Sequence, residues 1–336
     1  MSAPEPDPNR YAPEVLVMGR LGVDLYPLQQ GVGLADVDTF GKHLGGSAAN
    51  VAVAAARHGR RTALISRTGQ DPFGDYLRTE LRGYGVDAAR VLPVAGPPTP
   101  VTFCEVFPPD DFPIWFYRPP GTPDLQIRPE ELDPEEVRAA GLLWVTGTGL
   151  SAEPSASAHM AALTARDRSG ITVLDLDHRP GLWPSPQAAG PALRAALAGV
   201  TVAVGNLDEC EAAVGVRDPD AAADALLATG IELAVVKQGP AGVLARTATE
   251  RVVVAPHPVK VVNGLGAGDA FGGALCHGLL ADWPLERTLR FANAAGAFVA
   301  GRLFCAPDMP TTPQVEDMME HAHSHRADRP EAAPHA

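Results

Sequence analysis

The sequence predicts an α/β fold with a mostly parallel sheet covered by helices on both faces. Two observations predict it. Short apolar runs rich in β-branched residues alternate along the chain with Ala-rich stretches of helical character, the order expected of a parallel sheet with helical crossovers. The 336 residues are 46% apolar and 20% charged, the composition of a folded soluble domain with a sizeable core. A third observation qualifies the picture. Residues 20–44 and 97–123 break the alternation with prolines and aromatic, strand-like pieces, and read as excursions that form a small β-lid.

In chain order, residues 1–13 are rich in Pro and polar residues and read as a disordered lead-in. VLVMG (15–19) reads as a strand, Ala48–His58 as a helix closed by Gly59, and TALIS (62–66) as the next strand. Asp71 caps a helix that carries Pro72 at its first position and runs to Tyr84. LLWVTG (142–147), ITVLDLD (171–177), VTVAVG (200–205) and IELAVVK (231–237) read as strands, with helices at 156–168, 207–214 and 220–229 between them. A further strand is expected at Val259–Val262, leading into a glycine turn and an apolar helix. The folded domain is expected over 14–306, with 307–336 a flexible tail carrying His321, His323 and His325. Such tracts can bind metal but commonly have no partner.

Charge and composition exclude several classes. Lys plus Arg is 27 and Asp plus Glu is 40, a net charge of −13, which argues against binding nucleic acid through phosphate contacts. No run approaches the roughly 20 apolar residues of a membrane span. The first ten residues have neither the basic start nor the apolar core of a signal peptide. Cys104, Cys210, Cys276 and Cys305 are scattered, without metal-binding or disulfide spacing, as in a reduced cytoplasmic compartment.

Two glycine-rich segments stand out. In VVNGLGAGDAFGGALCHGLL (261–280), Gly264-Leu265-Gly266-Ala267-Gly268-Asp269 precedes an apolar helix. The first amides of a helix lack intrahelical acceptors and lie at its positive end, which suits a phosphate or a developing oxyanion. Asp269 has two readings: a helix cap, or a carboxylate facing a substrate hydroxyl to take its proton. In HLGGSAANVAVAAARHG (43–59), Gly45-Gly46 makes a tight bend and Asn50 falls in the first helical turn. Asn50 either caps that turn or offers its amide to a sugar hydroxyl. A Walker-type phosphate loop is absent. GTGLSA (147–152) fits a dinucleotide-binding G-x-G-x-x-A, but it is isolated and Asp175 follows later than such a fold wants.

Polar residues also gather at predicted strand ends: Asp24, then Asp175, Asp177 and Arg179 in DLDHR, Asn206 and Glu209 in NLDE, and Lys237 and Gly239 in VVKQG. Ligands of open parallel sheets bind beyond the carboxyl ends of the strands, so Asp24, Asp177, Arg179, Asn206, Lys237 and Asp269 are candidates for one cleft.

GGSAANVAVAAARHG near the start and NGLGAGDAFGGAL near the end together resemble the two signatures of the ribokinase-like (PfkB) carbohydrate kinases, in matching order and spacing over about 15–306. NLDE resembles that family's N-x-x-E, and DLDHR its D-x-N-x-R with Asp177 in place of Asn. Asn263-Gly264 replaces the family's usual Asp-Thr and, with GRLGVDLYP (19–27) and FPIWFYRPPGTPDLQI (112–127), points to a subgroup acting on a keto-deoxy sugar acid.

The resemblance implies a ribokinase-like three-layer sandwich with a small β-lid, ATP as phosphoryl donor and Mg2+ as counter-charge, with a monovalent cation such as K+ a further candidate. It implies Asp269 as the base, with the amides of Gly266, Ala267 and Gly268 stabilising the transferring phosphoryl group. Asp24, Gly45, Gly46, Asn50, Arg118 and Arg179 would bind the sugar acid, Arg118 facing its carboxylate and Arg179 meeting either that carboxylate or a phosphate. Asn206, Lys237, Gly239, Gly242, Gly266, Gly268 and Asn293 would lie along the nucleotide, and Asn206 and Glu209 would order Mg2+ through water. The partners implied are a sugar acid and ATP, with neither nucleic acid nor membrane, and the lid segments could pair in a homodimer. The rival readings are another sugar kinase of the family, a non-catalytic sugar-binding regulator on the same fold, and an NAD-dependent oxidoreductase built on GTGLSA.

Overall fold

The structure is a computed structural model. It describes residues 12–327 except 30, 120 and 186, with side chains through residue 321. In chain order the elements are β1 (Val15–Met18), β2 (Gly22–Pro27), β3 (Phe40–Gly45), α1 (Ser47–Arg57), β4 (Thr62–Gly69), α2 (Pro72–Gly83), β5 (Val86–Asp87), β6 (Val91–Val94), β7 (Val101–Cys104) and β8 (Ile114–Tyr117). There follow α3 (Pro134–Ala139), β9 (Leu142–Thr146), α4 (Ser155–Arg166), β10 (Ile171–Asp175), α5 (Ala189–Leu197), β11 (Val202–Asn206), α6 (Leu207–Val214), α7 (Pro219–Leu227) and β12 (Leu233–Lys237). The chain closes with β13 (Val243–Arg246), β14 (Arg251–Val254), α8 (Ala267–Leu280), α9 (Leu285–Ala300) and α10 (Thr312–Ala327).

The main sheet runs β14-β13-β12-β11-β10-β9-β1-β4-β5, with β6 pairing on β4. Its strands from β12 through β4 pair in parallel, and β13 and β14 form an antiparallel edge. Alternation within a strand sorts side chains to two cores. Val15 and Val17 of β1 join a core built with α1, α2, α8 and α9, while Leu16 and Met18 join one built with α3 to α7. That is the three-layer sandwich.

The two irregular stretches supply a second, four-stranded and mostly antiparallel sheet, ordered β3-β2-β7-β8. Asp71 caps α2 as expected, its carboxylate accepting from Gly74 N at 2.8 Å.

Two expectations need correction. Val259–Val262 is not a strand. Pro256 and Pro258 remove two ladder donors just ahead of it, and the amides of Val262 and Asn263 instead donate to the Ala300 carbonyl at the end of α9. The fold also does not stop at 306. Met309 and Val315 are buried, and α10 packs on α9, so the apolar positions within a polar-looking tail anchor it to the core. His321 lies on α10 with its Nδ1 paired to the Asp317 carbonyl, while the His323 and His325 side chains lie outside the described residues. Of the expected lead-in, residues 1–11 also lie outside them, and the Pro13 carbonyl accepts from Gly141 N. Among the described residues no helix is long and apolar enough to cross a membrane.

Candidate active site

The carboxyl ends of β1, β10, β11 and β12 open into a cleft that the small sheet covers from one side. It holds about 850 Å³ of atom-free space, part of it open to solvent. Arg20, Asp24, Gly46, Asn50, Asp175, Asp177, Arg179, Asn206, Glu209, Lys237, Gly266, Gly268 and Asp269 all line it.

The glycine turn before α8 is held from beneath. Asn263 is buried; its Oδ1 accepts from Leu265 N at 3.0 Å and its Nδ2 donates to the Leu303 carbonyl at 2.8 Å. Gly266 has φ +80°, and a Cβ there would lie 2.4 Å from Cys305 Sγ, so only glycine fits. α8 begins at Ala267, and its first turn presents Gly268 and Asp269 to the cleft; Ala267 itself is not a lining residue.

Across the cleft, Gly46 with φ +99° starts α1 and puts Asn50 in its first turn. Asn50 Nδ2 donates to Asp269 Oδ2 at 2.8 Å, and Asn50 Oδ1 is buried without a partner. Asp269 is therefore not capping its own helix. Burial pushes the Asp269 carboxyl up and the nearby Asp177 adds to this, while the Asn50 hydrogen bond, Arg20 and Arg179 oppose it.

Asp177 is the hub of a buried polar network. It accepts from Ser47 Oγ at 2.6 Å and Thr148 Oγ1 at 2.8 Å, and pairs with Arg179 at 3.3 Å and Arg20 at 3.6 Å. Burial alone would raise its pKa, but the two guanidiniums and two hydroxyls together hold it below the usual carboxylate range. The carboxylate that stands where the resembled family has an amide is thus charge-compensated. Asp175 lacks such support. Burial pushes it up to about 8 against the pull of Lys237, with Asp177, Glu209 and Asp269 adding to the rise. Burial likewise pushes Asp24 up to about 7 despite Arg20.

Asn206 and Glu209 cap α6 reciprocally: Asn206 N donates to Glu209 Oε2 at 2.7 Å and Glu209 N to Asn206 Oδ1 at 2.9 Å. Glu209 also meets Arg179 at 3.3 Å and Lys237 at 4.0 Å. Desolvation alone would lower the Lys237 pKa, but Glu209, Asp175 and Asp269 raise it above the ordinary value.

Several expected residues fall elsewhere. Arg118 Nη2 donates to both carboxylate oxygens of buried Asp124 at 2.8 Å and does not line the cleft, because a buried Asp one short loop away satisfies it first. Gly45 faces Asp24: a Cβ there would lie 2.0 Å from the Asp24 Cγ, so this glycine makes room for the carboxylate and touches no cleft. Gly239, Gly242 and Asn293 stand beyond Lys237 and outside the lining residues; Gly242 packs on Val254 and Ala255, and Asn293 Nδ2 donates to the Ala255 carbonyl at 2.7 Å. GTGLSA is a buried single turn of 3-10 helix at Gly147–Leu150. A Cβ on Gly149 would lie 2.1 Å from the His159 ring and one on Gly147 2.2 Å from the Leu176 carbonyl, so no pyrophosphate can approach either glycine.

A family model described as pfkB family carbohydrate kinase matches residues 12–312. The chain belongs to the pfkB family of carbohydrate kinases. It is thus a phosphotransferase with an alcohol group as acceptor. This pfkB kinase is 31% identical over 314 residues to a 5-dehydro-2-deoxygluconokinase of Geobacillus kaustophilus, covering 91% of this chain and 93% of the relative. Its fold superposes on an E. coli protein described as a ribokinase II, solved with ATP and Mg2+, with TM-score 0.84 at 22% identity, covering 92% of this chain and 99% of the other. A fructokinase of Vibrio cholerae O395, solved with fructose, ADP and calcium ion, gives TM-score 0.80 at 24% identity, with 91% and 98% covered.

The sequence reading missed Arg20, Ser47 and Phe116. Arg20 follows Gly19 directly at the carboxyl end of β1, the same strand-end position that flagged the other cleft residues, so its signal was present.

Proposed function

We propose that this kinase transfers the terminal phosphoryl group of ATP to the 6-hydroxyl of 5-dehydro-2-deoxy-D-gluconate, a step in the breakdown of myo-inositol. The observation that carries it is Asp269, open to the cleft beside the amides at the start of α8 and hydrogen-bonded to Asn50 rather than to its own helix. The name of the G. kaustophilus relative and Asn263-Gly264 in place of the usual Asp-Thr support the choice of substrate.

In this reading Asp269 takes the hydroxyl proton as the oxygen forms its bond to the γ-phosphorus and the bond to the β-phosphate oxygen breaks, releasing ADP. A carboxyl lifted by burial is a better proton acceptor than a solvated one. The amides of Gly266, Ala267 and Gly268 stabilise the charge on the phosphoryl oxygens, a fixed electrostatic contribution made before reaction begins. Asp24, Gly46 and Asn50 hold sugar hydroxyls. Arg179 and Lys237, both lying against Glu209, face the phosphates. Gly239, Gly242 and Asn293 would lie along the rest of the nucleotide.

A divalent cation fits the donor set: five carboxylates line the cleft against three cationic side chains, and burial, with Asp177, Glu209 and Asp269 adding to it, pushes Asp175 up to about 8. Among the described residues no three His, Cys, Asp or Glu groups meet closely enough to chelate an ion, so Asn206 and Glu209 would hold Mg2+ through water. When bound, Mg2+ neutralises phosphate charge.

The test is ADP release by the purified chain with ATP, Mg2+ and a panel of 5-dehydro-2-deoxygluconate, 2-dehydro-3-deoxygluconate, fructose and ribose. The highest kcat/KM on the first compound is expected. A higher value on any other would overturn the substrate assignment.

A further inference from the structure

We infer that Arg20 is the residue that reads the substrate's carboxylate. The inference rests on the sugar-acid reading above and assigns to Arg20 the specificity role first expected of Arg118.

The argument begins from charge. The cleft is lined by Asp24, Asp175, Asp177, Glu209 and Asp269 against Arg20, Arg179 and Lys237, so an anionic sugar needs one of those three cations. Arg179 and Lys237 both lie on Glu209, at 3.3 Å and 4.0 Å, on the side of the strand ends β11 and β12. Arg20 shares Asp177 with Arg179 but does not touch Glu209, and it follows β1 on the side of the small sheet. Its guanidinium carbon lies 5.4 Å from the centroid of the Phe116 ring of β8.

Arg20 is also held like a binding group. Nη2 donates to Ser47 Oγ at 3.2 Å and lies 3.6 Å from Asp177 Oδ2. Those contacts fix the plane of the fork from one side. Its Nε is buried and has no partner, although the side chain is only 10% exposed. A buried N–H is rarely left unpaired in a native protein; Arg179 Nε shares this feature, but Arg179 lies against Glu209, and a guanidinium lining a cleft matches a planar carboxylate. Arg118 does not line the cleft, and its Nη2 is taken by both oxygens of Asp124.

Asp24 also faces Arg20, and this carboxyl is pushed up to about 7, chiefly by burial.

The experiment compares wild type, Arg20→Gln and Arg20→Lys on 5-dehydro-2-deoxygluconate and on the matching neutral sugar, in which the carboxylate is reduced to an alcohol. Wild type should prefer the acid. Arg20→Gln should raise KM for the acid by about 10- to 100-fold, the loss of a charge-assisted hydrogen bond, with the KM for ATP not following. The acid-over-neutral preference should collapse by the same factor. Arg20→Lys keeps a charge beside Asp177 but lacks the planar fork, and should fall between. If Arg20→Gln is too unstable to assay, the double variant Arg20→Gln/Asp177→Asn restores the local charge balance and should show the same collapse. Wild-type preference for the acid that survives in Arg20→Gln, or in the double variant, would overturn the role of Arg20 alone. A wild type that prefers the neutral sugar would overturn the substrate reading and this inference together.

Discussion

Asn50 and Asp269 lie 219 residues apart in the chain, yet Asn50 Nδ2 donates to Asp269 Oδ2 at 2.8 Å. The contact joins the first turn of α1 to the first turn of α8, two of the helices of one core layer. It has two effects on the proposed base: it fixes where the carboxylate points, and it opposes the rise in pKa that burial imposes.

Replacing Asn50 should disturb both. Asn50→Ala frees the carboxylate to rotate, and kcat should fall by about 10- to 100-fold through lost positioning. The Asp269 pKa should also rise, because a hydrogen bond to its charged form is gone. The base works deprotonated, so the acidic limb of the kcat profile should move to higher pH. A rate profile from pH 5 to 9 checks this; an unmoved limb would mean that Asp269 does not set it.

Arg118 gives the opposite kind of prediction. It and Asp124 form a pair with side chains 7% and 1% exposed. Breaking a buried pair by removing one partner typically costs about 3–5 kcal/mol. Arg118→Ala should therefore lower the melting temperature markedly while leaving the KM for the sugar acid near wild type. A raised KM in a variant with unchanged melting would return Arg118 to the substrate.

The cleft carboxyls predict how stability follows pH. Asp24 at about 7 and Asp175 at about 8 lie above the value of about 4 for an unfolded Asp. The folded chain therefore holds more protons than the unfolded chain across that interval. The sign follows: their contribution is full below about pH 4 and is lost as pH climbs toward 8. Asp175→Asn removes one of the two groups. In thermal melts of the ligand-free protein, the drop in melting temperature between pH 5 and pH 8.5 should be smaller for this variant than for wild type. An equal drop would show that Asp175 ionises normally.

Much of this architecture was legible in the sequence. Parallel strands buried on both faces announce themselves as apolar runs, and Asp71-Pro72 marks a helix start by chemistry that acts within four residues. The two glycine turns were legible for the same local reason. Long-range competition was not. Val259–Val262 has the composition of a strand, but its amides found the Ala300 carbonyl. Arg118 lies beside the lid strand β8 as expected, but Asp124 claims its Nη2, and only tertiary structure shows which of two arginines lines the cleft. The buried Met309 and Val315 were hidden in a polar segment because two anchoring residues leave little periodic signal.

The central claim is that Asp269 takes the proton of the accepting hydroxyl. The most direct measurement is single-turnover phosphoryl transfer by Asp269→Asn, alongside calorimetric titration of the sugar acid. Transfer should slow by about 10²- to 10⁴-fold, the usual loss on removing a general base, while sugar-acid affinity stays within a few-fold of wild type. Transfer at the wild-type rate would contradict the claim.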